Sequence, residues 1–283
     1  MGNSIGIGGF NMHRFAALVV LLMVSMTTMG SADDKTLWQR STLKQVIKNG
    51  ELRVGLEPGY APFEMISKDG RLIGLDVDLA QAMADAMGVR LKLVQLDWNG
   101  IMPALLTDQF DIIISGMTIT PQRNLWINFT DAYMTVGQTI LVRRQLARKI
   151  KGYTDLNKPK YTVATKTGTT GFEAIKSFIP KAKHRLMKSE WLGVQEVLEG
   201  RADAFVYDLP FNAVIAARHK MKLHHVSAPF TQERLGFGVR KGDPDFLNWL
   251  NHFLTQIKLD GRFDAMHRRW FKETDWHKDV DFK

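Results

Sequence analysis

The chain has 283 residues, enough for two domains of ordinary size or one large one. Hydrophobic residues make up 45% and charged residues 24%, the proportions of a soluble globular protein. Cysteine is absent, which excludes disulfides, thiolate metal sites, a cysteine nucleophile and a lipid anchor on cysteine.

The N-terminus has the layout of a secretory signal peptide. Arg14 precedes an apolar run of ten residues, Phe15–Val24, and Gly30 and Ala32 stand at the small-residue cleavage positions. The run is shorter than the roughly 20 residues of a spanning helix, although an uncleaved anchor is the alternative. We therefore predict a signal peptide over residues 1–32 and an exported mature protein, Asp33–Lys283.

The formal net charge of +9 falls to about +8 once the signal peptide, with Arg14, is removed. A basic balance suits nucleic acid, acidic surfaces or anionic ligands. Because the basic residues are dispersed and the chain carries an export signal, we expect no nucleic-acid partner.

Strands and helices alternate in the first half of the chain, which is typical of an α/β sheet. The predicted strands are Leu52–Leu56, Leu91–Leu96 and the run beginning at Asp111. The predicted helices are Leu43–Asn49, a segment ending at Leu106, and Val77–Met87 with Asp76 as its N-cap.

The stretch Phe110–Arg123 combines a buried-strand signal with ligand-binding residue types. Its isoleucine run suits a strand buried on both faces, Ser115-Gly116 a turn, and Pro121 the first turn of a short helix. Ligands of open α/β sheets bind past the carboxyl ends of strands, and arginine can hold a carboxylate by two hydrogen bonds. On these residues alone, a strand, a turn and a surface arginine explain the stretch equally well.

A second α/β series fills the rest of the chain. Its predicted strands are Gln138–Val142, Tyr161–Thr165, Ala204–Tyr207, Leu223–Val226 and Gly236–Arg240. Its predicted helices are Phe172–Phe178, Trp191–Leu198, Arg262–Phe271 and Phe246–Ile257, the last opened by Asp243-Pro244 as N-cap and first turn.

Polar residues follow several of these strands. The loop Lys166–Gly171 precedes a helix, where anions bind, although a plain turn is as good a reading. Asp208 ends an apolar strand and is either a helix cap or a partner for a cation. Tyr60 and Trp98 could clamp a ligand by stacking or cation–π contact, but such aromatics more often pack as lids.

Catalytic and metal-binding patterns are weak. His224-His225 would point to opposite faces of a strand, which makes them poor joint metal ligands. The sequence has no HExxH motif and no Ser-His-Asp order tied to a nucleophile elbow. We predict no catalytic residue, no metal and no cofactor.

Taken together, the motifs resemble those of the family 3 extracellular solute-binding proteins, the polar amino-acid receptors of ABC importers. The matching segments run through nearly the whole mature chain: Tyr60–Glu64, Gly74–Ala80, Asp97–Leu105, Asp111–Arg123, Asn128–Tyr133, Lys166–Gly171 and Gly200–Asp208. Any single segment is unspecific, whereas the ordered set is highly specific.

The resemblance implies an α/β, two-lobed periplasmic binding protein type II (Venus flytrap) fold. Two crossing hinge strands are expected near Tyr133–Gly137 and Thr231–Leu235. Residues 33–134 with 234–283 would form lobe 1, and residues 135–233 would form lobe 2. The implied protein is a periplasmic monomer that binds an amino acid and passes it to a membrane permease in a transient contact.

The resemblance also implies roles for individual residues. Arg123 would hold the ligand carboxylate, helped by the backbone N–H groups of Thr118 and Thr170. Asp208 would hold the ligand ammonium, with the Gly116 carbonyl and the Thr118 hydroxyl completing its shell.

Four further residues would surround the ligand side chain. By the same resemblance, Tyr60 and Trp98 line its pocket, and Glu57 and Lys166 occupy positions that contact it in glutamine-binding members. Glu57 and Lys166 could accept the two ends of an amide, which favours a polar, glutamine-like ligand. They could equally pair with each other and leave an apolar slot.

Two other classes of function share the expected fold. Cyclohexadienyl dehydratases keep the carboxylate-binding arginine, replace the ammonium-binding aspartate site and place an acid after the first strand of the second lobe. Asp208 is retained here and Glu173 lies two residues beyond Gly171, so we expect no enzyme. We also expect no receptor sensor domain, since no signalling segment follows Lys283, while a freestanding partner of a sensor stays open.

Overall fold

The computed structural model describes residues 1–2 and 38–281. Apart from Met1 and Gly2, the predicted signal peptide lies outside the described residues. In the part of the chain that is described, no helix is both long and apolar enough to cross a membrane.

Helices and strands alternate through most of the chain. The first half contains α1 (Thr42–Asn49), β1 (Glu51–Leu56), β2 (Met65–Ile66), β3 (Leu72–Ile73), α2 (Leu75–Met87), β4 (Arg90–Gln95), α3 (Trp98–Leu106), β5 (Ile112–Ile113), α4 (Pro121–Asn124), β6 (Asn128–Phe129) and β7 (Met134–Val136). The second half contains β8 (Gln138–Arg143), α5 (Tyr153–Leu156), β9 (Thr162–Lys166), α6 (Thr170–Phe178), β10 (Lys183–Met187), α7 (Glu190–Leu198), β11 (Ala204–Asp208), α8 (Leu209–Arg218), β12 (Leu223–Val226), β13 (Glu233–Leu235), β14 (Gly238–Val239), α9 (Pro244–Leu259) and α10 (Arg262–Phe271). Short 3₁₀ turns span Arg144–Leu146 and Asp275–Asp279.

Two mixed five-stranded sheets form the two lobes. The first has the order β4-β1-β5-β14-β6, in which β1 runs parallel to β4 and β5, and β14 pairs antiparallel with β5 and β6. The second has the order β10-β9-β11-β8-β12, in which β9 runs parallel to β10 and β11, and β8 pairs antiparallel with β11 and β12. The chain therefore enters the second sheet after β7 and returns to the first after β13.

The crossings are a two-stranded antiparallel ribbon of β7 and β13, in which Thr135 pairs with Arg234. Both strands lie within the predicted crossing segments. Two lobes joined by two crossing strands are the architecture that the resemblance implies, while the boundaries 33–134, 135–233 and 234–283 stay a prediction.

Two predicted helix starts, at Asp243 and at Pro121, are confirmed. Asp243 accepts a hydrogen bond from the backbone N–H of Phe246 at 3.1 Å and so caps α9. Pro121 is the first residue of α4, as predicted, and Thr120 caps that helix by accepting from the N–H of Arg123 at 3.2 Å.

The prediction of Asp76 as an N-cap is wrong. Helix α2 begins at Leu75 with Gly74 at the cap position, and Asp76 is its second residue, fully buried. The Asp76 carboxylate accepts hydrogen bonds from distant parts of the chain. Strand β10 and helix α8 were not predicted, and α8 follows directly on Asp208.

The hydrophobic core continues from one lobe into the other. The Tyr60 ring of lobe 1 meets the edge of Tyr207 of lobe 2 at a centroid distance of 5.5 Å, and Tyr207 meets Phe211 at 5.3 Å. These aromatic residues belong to one buried cluster, so the lobes lie against each other in a closed arrangement.

Candidate functional site

A cavity lies between the lobes. Its lining consists of Glu57, Tyr60, Glu64, Trp98, Ser115, Gly116, Thr118, Arg123, Thr169, Thr170, Glu190, Tyr207 and Asp208. Eight of the nine predicted ligand-binding residues are in this set. The ninth, Lys166, is outside the lining but contacts it through Glu57 and Glu190.

The cavity residues come together because four strands end beside it. Strand β1 ends just before Glu57, β5 just before the Ser115-Gly116 turn, and β11 ends at Asp208. Helix α6 begins at Thr170, just after β9, and Thr169 and Thr170 line the same space, at the end of the helix where the first N–H groups have no partners within it. This is the position at which open α/β sheets bind ligands.

Gly116 lets two parts of the cavity wall approach closely. Its φ is +51°, and a Cβ at this position would lie 2.2 Å from a ring carbon of Tyr60. Only glycine fits such a contact together with a left-handed backbone. The Gly116 backbone is therefore pressed against the Tyr60 ring at the edge of the cavity.

Arg123 is a buried cation that hydrogen-bonds to backbone carbonyl groups. Its guanidinium donates to the carbonyl oxygens of Thr118 at 2.8 Å and Gly168 at 3.3 Å, and its Cζ lies 5.2 Å from the Trp98 ring centre. No acid within residues 38–281 forms an ion pair with it. Burial lowers the pKa of its guanidinium, so a bound anion would restore a partner.

Among residues 38–281, no cation forms an ion pair with Asp208. Its side chain is 5% exposed, and its two oxygens accept from the Tyr60 hydroxyl and from the Gln138 amide. It occupies the N-cap position of α8 but makes no capping hydrogen bond, so the alternative of a helix cap is wrong. Burial and the charge of Glu233 raise the pKa of Asp208 to about 8.

The two predicted aromatic side chains each hydrogen-bond to a residue of lobe 2. Tyr60 donates its hydroxyl to Asp208 and stacks on Phe63 at 4.6 Å, so it lies against the acid. Trp98 donates its indole N–H to the Gly168 carbonyl at 2.8 Å and thereby bridges the two lobes. Both rings line the cavity, as predicted.

A third charged residue, Glu190, contacts the predicted pair Glu57 and Lys166, and the sequence analysis does not predict it. The Lys166 ammonium contacts Glu57 and also the Glu190 carboxylate, the latter at 2.9 Å. Tyr207 donates to the same Glu190 oxygen at 2.7 Å. Burial and the charge of Glu190 raise the pKa of Glu57 to about 7, against the effect of Lys166.

No feature of the sequence identifies Glu190 as a site residue. It follows Ser189, whose hydroxyl accepts from the N–H of Leu192, and it is the first residue of α7. An acidic residue in the first turn of a helix is normally exposed to solvent and interacts favourably with the helix dipole. Here it is 3% exposed because α7 begins at the lobe interface.

Glu233 is a second missed acid, and it lies on the crossing strand β13. Its Oε2 accepts from the hydroxyls of Thr118 at 3.0 Å and Thr170 at 2.6 Å, one from each lobe. Thr231 donates to its other oxygen at 2.9 Å. Glu233 therefore ties both predicted carboxylate-binding loops to the hinge.

Glu173, the acid that the sequence analysis compares with the dehydratase pattern, lies outside the cavity lining. Its side chain is 64% exposed and pairs with Lys176 at 3.2 Å on the surface of α6. His224 and His225 belong to strand β12, where the His225 ring contacts the Thr139 hydroxyl at 2.9 Å. In the described ranges 1–2 and 38–281, no group of three or more His, Asp or Glu residues could hold a metal ion.

Comparisons with known proteins agree with this architecture. The sequence model of the bacterial extracellular solute-binding proteins, family 3, matches residues 52–273. A solved structure described as a binding component of an ABC transporter from Wolinella succinogenes DSM 1740, complexed with lysine, is 53% identical with a TM-score of 0.80. That match covers 81% of this chain and 99% of the other, which confirms the predicted two-lobed fold.

Two curated relatives have different activities. The L-cystine-binding protein TcyJ of Escherichia coli (strain K12) is 28% identical over 254 residues, 90% of this chain and 92% of the relative. A cyclohexadienyl dehydratase of Pseudomonas aeruginosa is 26% identical over 266 residues, 92% of this chain and 94% of the relative.

Proposed function

The chain belongs to the bacterial extracellular solute-binding proteins of family 3, as its motifs predict, and from this premise we propose that it captures an amino acid between its lobes. The ligand would be delivered to the membrane permease of an ABC transporter in a transient contact. Cleavage of the signal peptide at residues 1–32 would release a monomer into the periplasm without a lipid anchor.

The observation that carries this proposal is a buried guanidinium and a buried carboxyl that line one cavity and have no ion-pair partner among the described residues. Arg123 and Asp208 line the same cavity, and neither forms an ion pair in the described part of the chain. Leaving one partner of a buried pair alone costs several kcal/mol. An amino-acid zwitterion supplies both missing charges, with its carboxylate on Arg123 and its ammonium on Asp208.

The surrounding groups suit these roles. The N–H groups of Thr118 and Thr170 would assist the carboxylate, and the Gly116 carbonyl would assist the ammonium. The raised pKa of Asp208, about 8, keeps the acid protonated in the empty site at neutral pH. An arriving ammonium would favour the carboxylate, so ligand binding and proton release would be coupled.

The charges beyond Asp208 favour a cationic side chain over a glutamine-like one. Glu57 and Glu190 share a single ammonium, that of Lys166, which leaves one excess negative charge when both acids are ionised. A lysine or arginine side chain would neutralise it, whereas an amide would not. The similarity to a structure complexed with lysine supports the same choice.

The contacts between the lobes explain how a ligand would favour closure. Trp98 and Tyr60 of lobe 1 each bond to a group of lobe 2 at the cavity edge. A ligand held by Arg123 on one lobe and Asp208 on the other would add contacts that exist only in the closed form. We propose that residues 33–134 with 234–283 form lobe 1 and residues 135–233 form lobe 2, and the pairing of the crossing strands near these positions supports the division.

A thermal-shift screen of amino acids, followed by calorimetry of the best ligands, tests the proposed function. We expect L-lysine or L-arginine to raise the melting temperature more than L-glutamine, because a ligand of the folded state stabilises it by mass action. A parallel incubation with prephenate or arogenate is expected to give no aromatic product. The proposal fails if no amino acid stabilises the protein, or if aromatic product forms.

A further inference from the structure

Two buried carboxyls, Glu64 of the cavity lining and Asp76, bind adjacent residues of the Ser115-Gly116 turn, and the ligand contacts described above do not involve them. Glu64 is 1% exposed and Asp76 is fully buried. Within residues 38–281, no lysine, arginine or histidine forms an ion pair with either of them. Ionised carboxylates are almost never buried in this way without a partner.

The close approach of helix α2 to the loop before β2 brings the two acids together. Gly74 has φ +138°, and a Cβ there would lie 2.1 Å from the carbonyl oxygen of Phe63. The N–H of Asp76 donates to that carbonyl at 2.9 Å. Without a side chain at Gly74, the first turn of α2 rests on the backbone that carries Glu64.

One oxygen of each acid receives donors from the cavity wall and the hinge. Asp76 Oδ2 accepts from the Gly116 N–H at 2.6 Å and from the Tyr133 hydroxyl at 3.1 Å. Glu64 Oε1 accepts from the Ser115 hydroxyl at 2.7 Å. The acids therefore hold both residues of the Ser115-Gly116 turn.

The other two oxygens have no donor unless a proton lies between them. Among the described residues, Glu64 Oε2 and Asp76 Oδ1 are buried and accept no hydrogen bond, although the other oxygen of each acid binds a residue of the same Ser115-Gly116 turn. Two carboxylates in contact cannot both be ionised in a buried site, and a hydrogen bond between them requires one proton.

The acids differ in which of them holds the proton. Burial and the charge of Asp76 raise the pKa of Glu64 well above its usual range. Burial raises the pKa of Asp76 only to about 6, because the Gly116 N–H, the Tyr133 hydroxyl and Glu64 donate to it. The remaining titratable groups facing the pair are Glu190, Glu57 and Tyr133, none of which supplies a positive charge.

We propose that Glu64 is a positioning residue that carries a proton, donates it in a hydrogen bond to Asp76 and thereby fixes the Ser115-Gly116 turn. Asp76 then accepts three hydrogen bonds as a carboxylate, one of them from Gly116. The orientation of the Gly116 carbonyl toward a ligand ammonium depends on that contact. The effect on ligand binding rests on the proposed function, whereas the proton shared by Glu64 and Asp76 does not.

Substitution of Glu64 by glutamine tests the proton in the ligand-free protein. Infrared difference spectroscopy at neutral pH should show that Glu64→Gln loses the carbonyl band of one protonated carboxylic acid relative to the wild type, beyond any band that Asp208 contributes to both proteins, and that Glu273→Gln, an exposed control, loses none. Chemical unfolding between pH 6 and 8 should show that wild-type folding takes up about one proton more than the variant. An unchanged set of bands, or equal pH slopes, would overturn the proposal.

Binding of L-lysine tests the positioning role. Glu64→Ala removes the donor to Asp76 and should weaken binding at least about tenfold. Glu64→Gln restores a hydrogen-bond donor and should recover most of the lost affinity, because the positioning role depends on donation to Asp76. Equal losses in both variants would overturn the positioning role. If the wild-type protein binds no amino acid, the proposed function fails, and the infrared and unfolding experiments still decide the shared proton.

Discussion

Replacement of Asp208 by asparagine should remove a specific part of the pH dependence of ligand binding. With a pKa of about 8 in the empty site, Asp208 is about 1% ionised at pH 6 and about 50% ionised at pH 8. Only the ionised form can pair with a ligand ammonium. Because apparent affinity scales with the competent fraction, Asp208 alone should raise wild-type affinity about 50-fold from pH 6 to pH 8.

The sign follows from the direction of the pKa change. Burial and Glu233 raise the pKa of Asp208 in the empty site, and a bound ammonium lowers it. The complex therefore holds fewer protons than the free protein, so affinity rises with pH. Asparagine cannot ionise, so the variant should lose this rise and, at pH 8, bind about 30-fold more weakly, as expected for a loss of about 2 kcal/mol.

Calorimetry with L-lysine at pH 6, 7 and 8, in buffers of different ionisation enthalpy, measures both affinity and protons released. Asp131→Asn, on the exposed surface of lobe 1, is the matched control and should follow the wild type. The Asp208→Asn variant should still bind a cationic ligand about tenfold more tightly at pH 8 than at pH 6. The remaining rise in affinity comes from Glu57, whose pKa of about 7 means that it ionises over this range. An Asp208→Asn variant with the full wild-type slope would refute the assignment of Asp208 to the ammonium.

Three further substitutions separate the roles of the other site residues. Arg123→Ala should abolish amino-acid binding while circular dichroism shows an intact fold, since its guanidinium holds no other acid; retained affinity in calorimetry would contradict the carboxylate role. Glu190→Gln should weaken L-lysine at least about tenfold and L-glutamine much less, because only the cation needs the second carboxylate; an equal effect on both ligands would argue against a cationic preference. Trp98→Phe removes the hydrogen bond to Gly168 across the lobes and should weaken binding about threefold to tenfold through faster dissociation, measured by stopped-flow mixing; an unchanged dissociation rate would show that this contact does not hold the lobes closed.

Local sequence patterns were sufficient wherever structure depends on near neighbours. The alternation of strands and helices, the cap at Asp243 and the short helix at Pro121 were predicted and are present. The end of β5 is predicted to be a ligand site because open α/β sheets bind ligands past the carboxyl ends of their strands, whereas the roles of Glu57 after β1 and Asp208 at the end of β11 are implied by the family resemblance. That rule requires no knowledge of side-chain contacts.

The sequence by itself determined the α/β composition, the order of the elements and the loops from which a site could be built. Only the tertiary structure decided which charges meet, because partners such as Tyr60 and Asp208 are separated by 148 positions in the chain. Nothing in the sequence distinguishes Glu190, Glu233 and Glu64 from surface acids, yet tertiary packing buries all three. Burial converts these ordinary carboxyls into groups that need a proton, a hydroxyl or a cation, and that need is visible only in three dimensions.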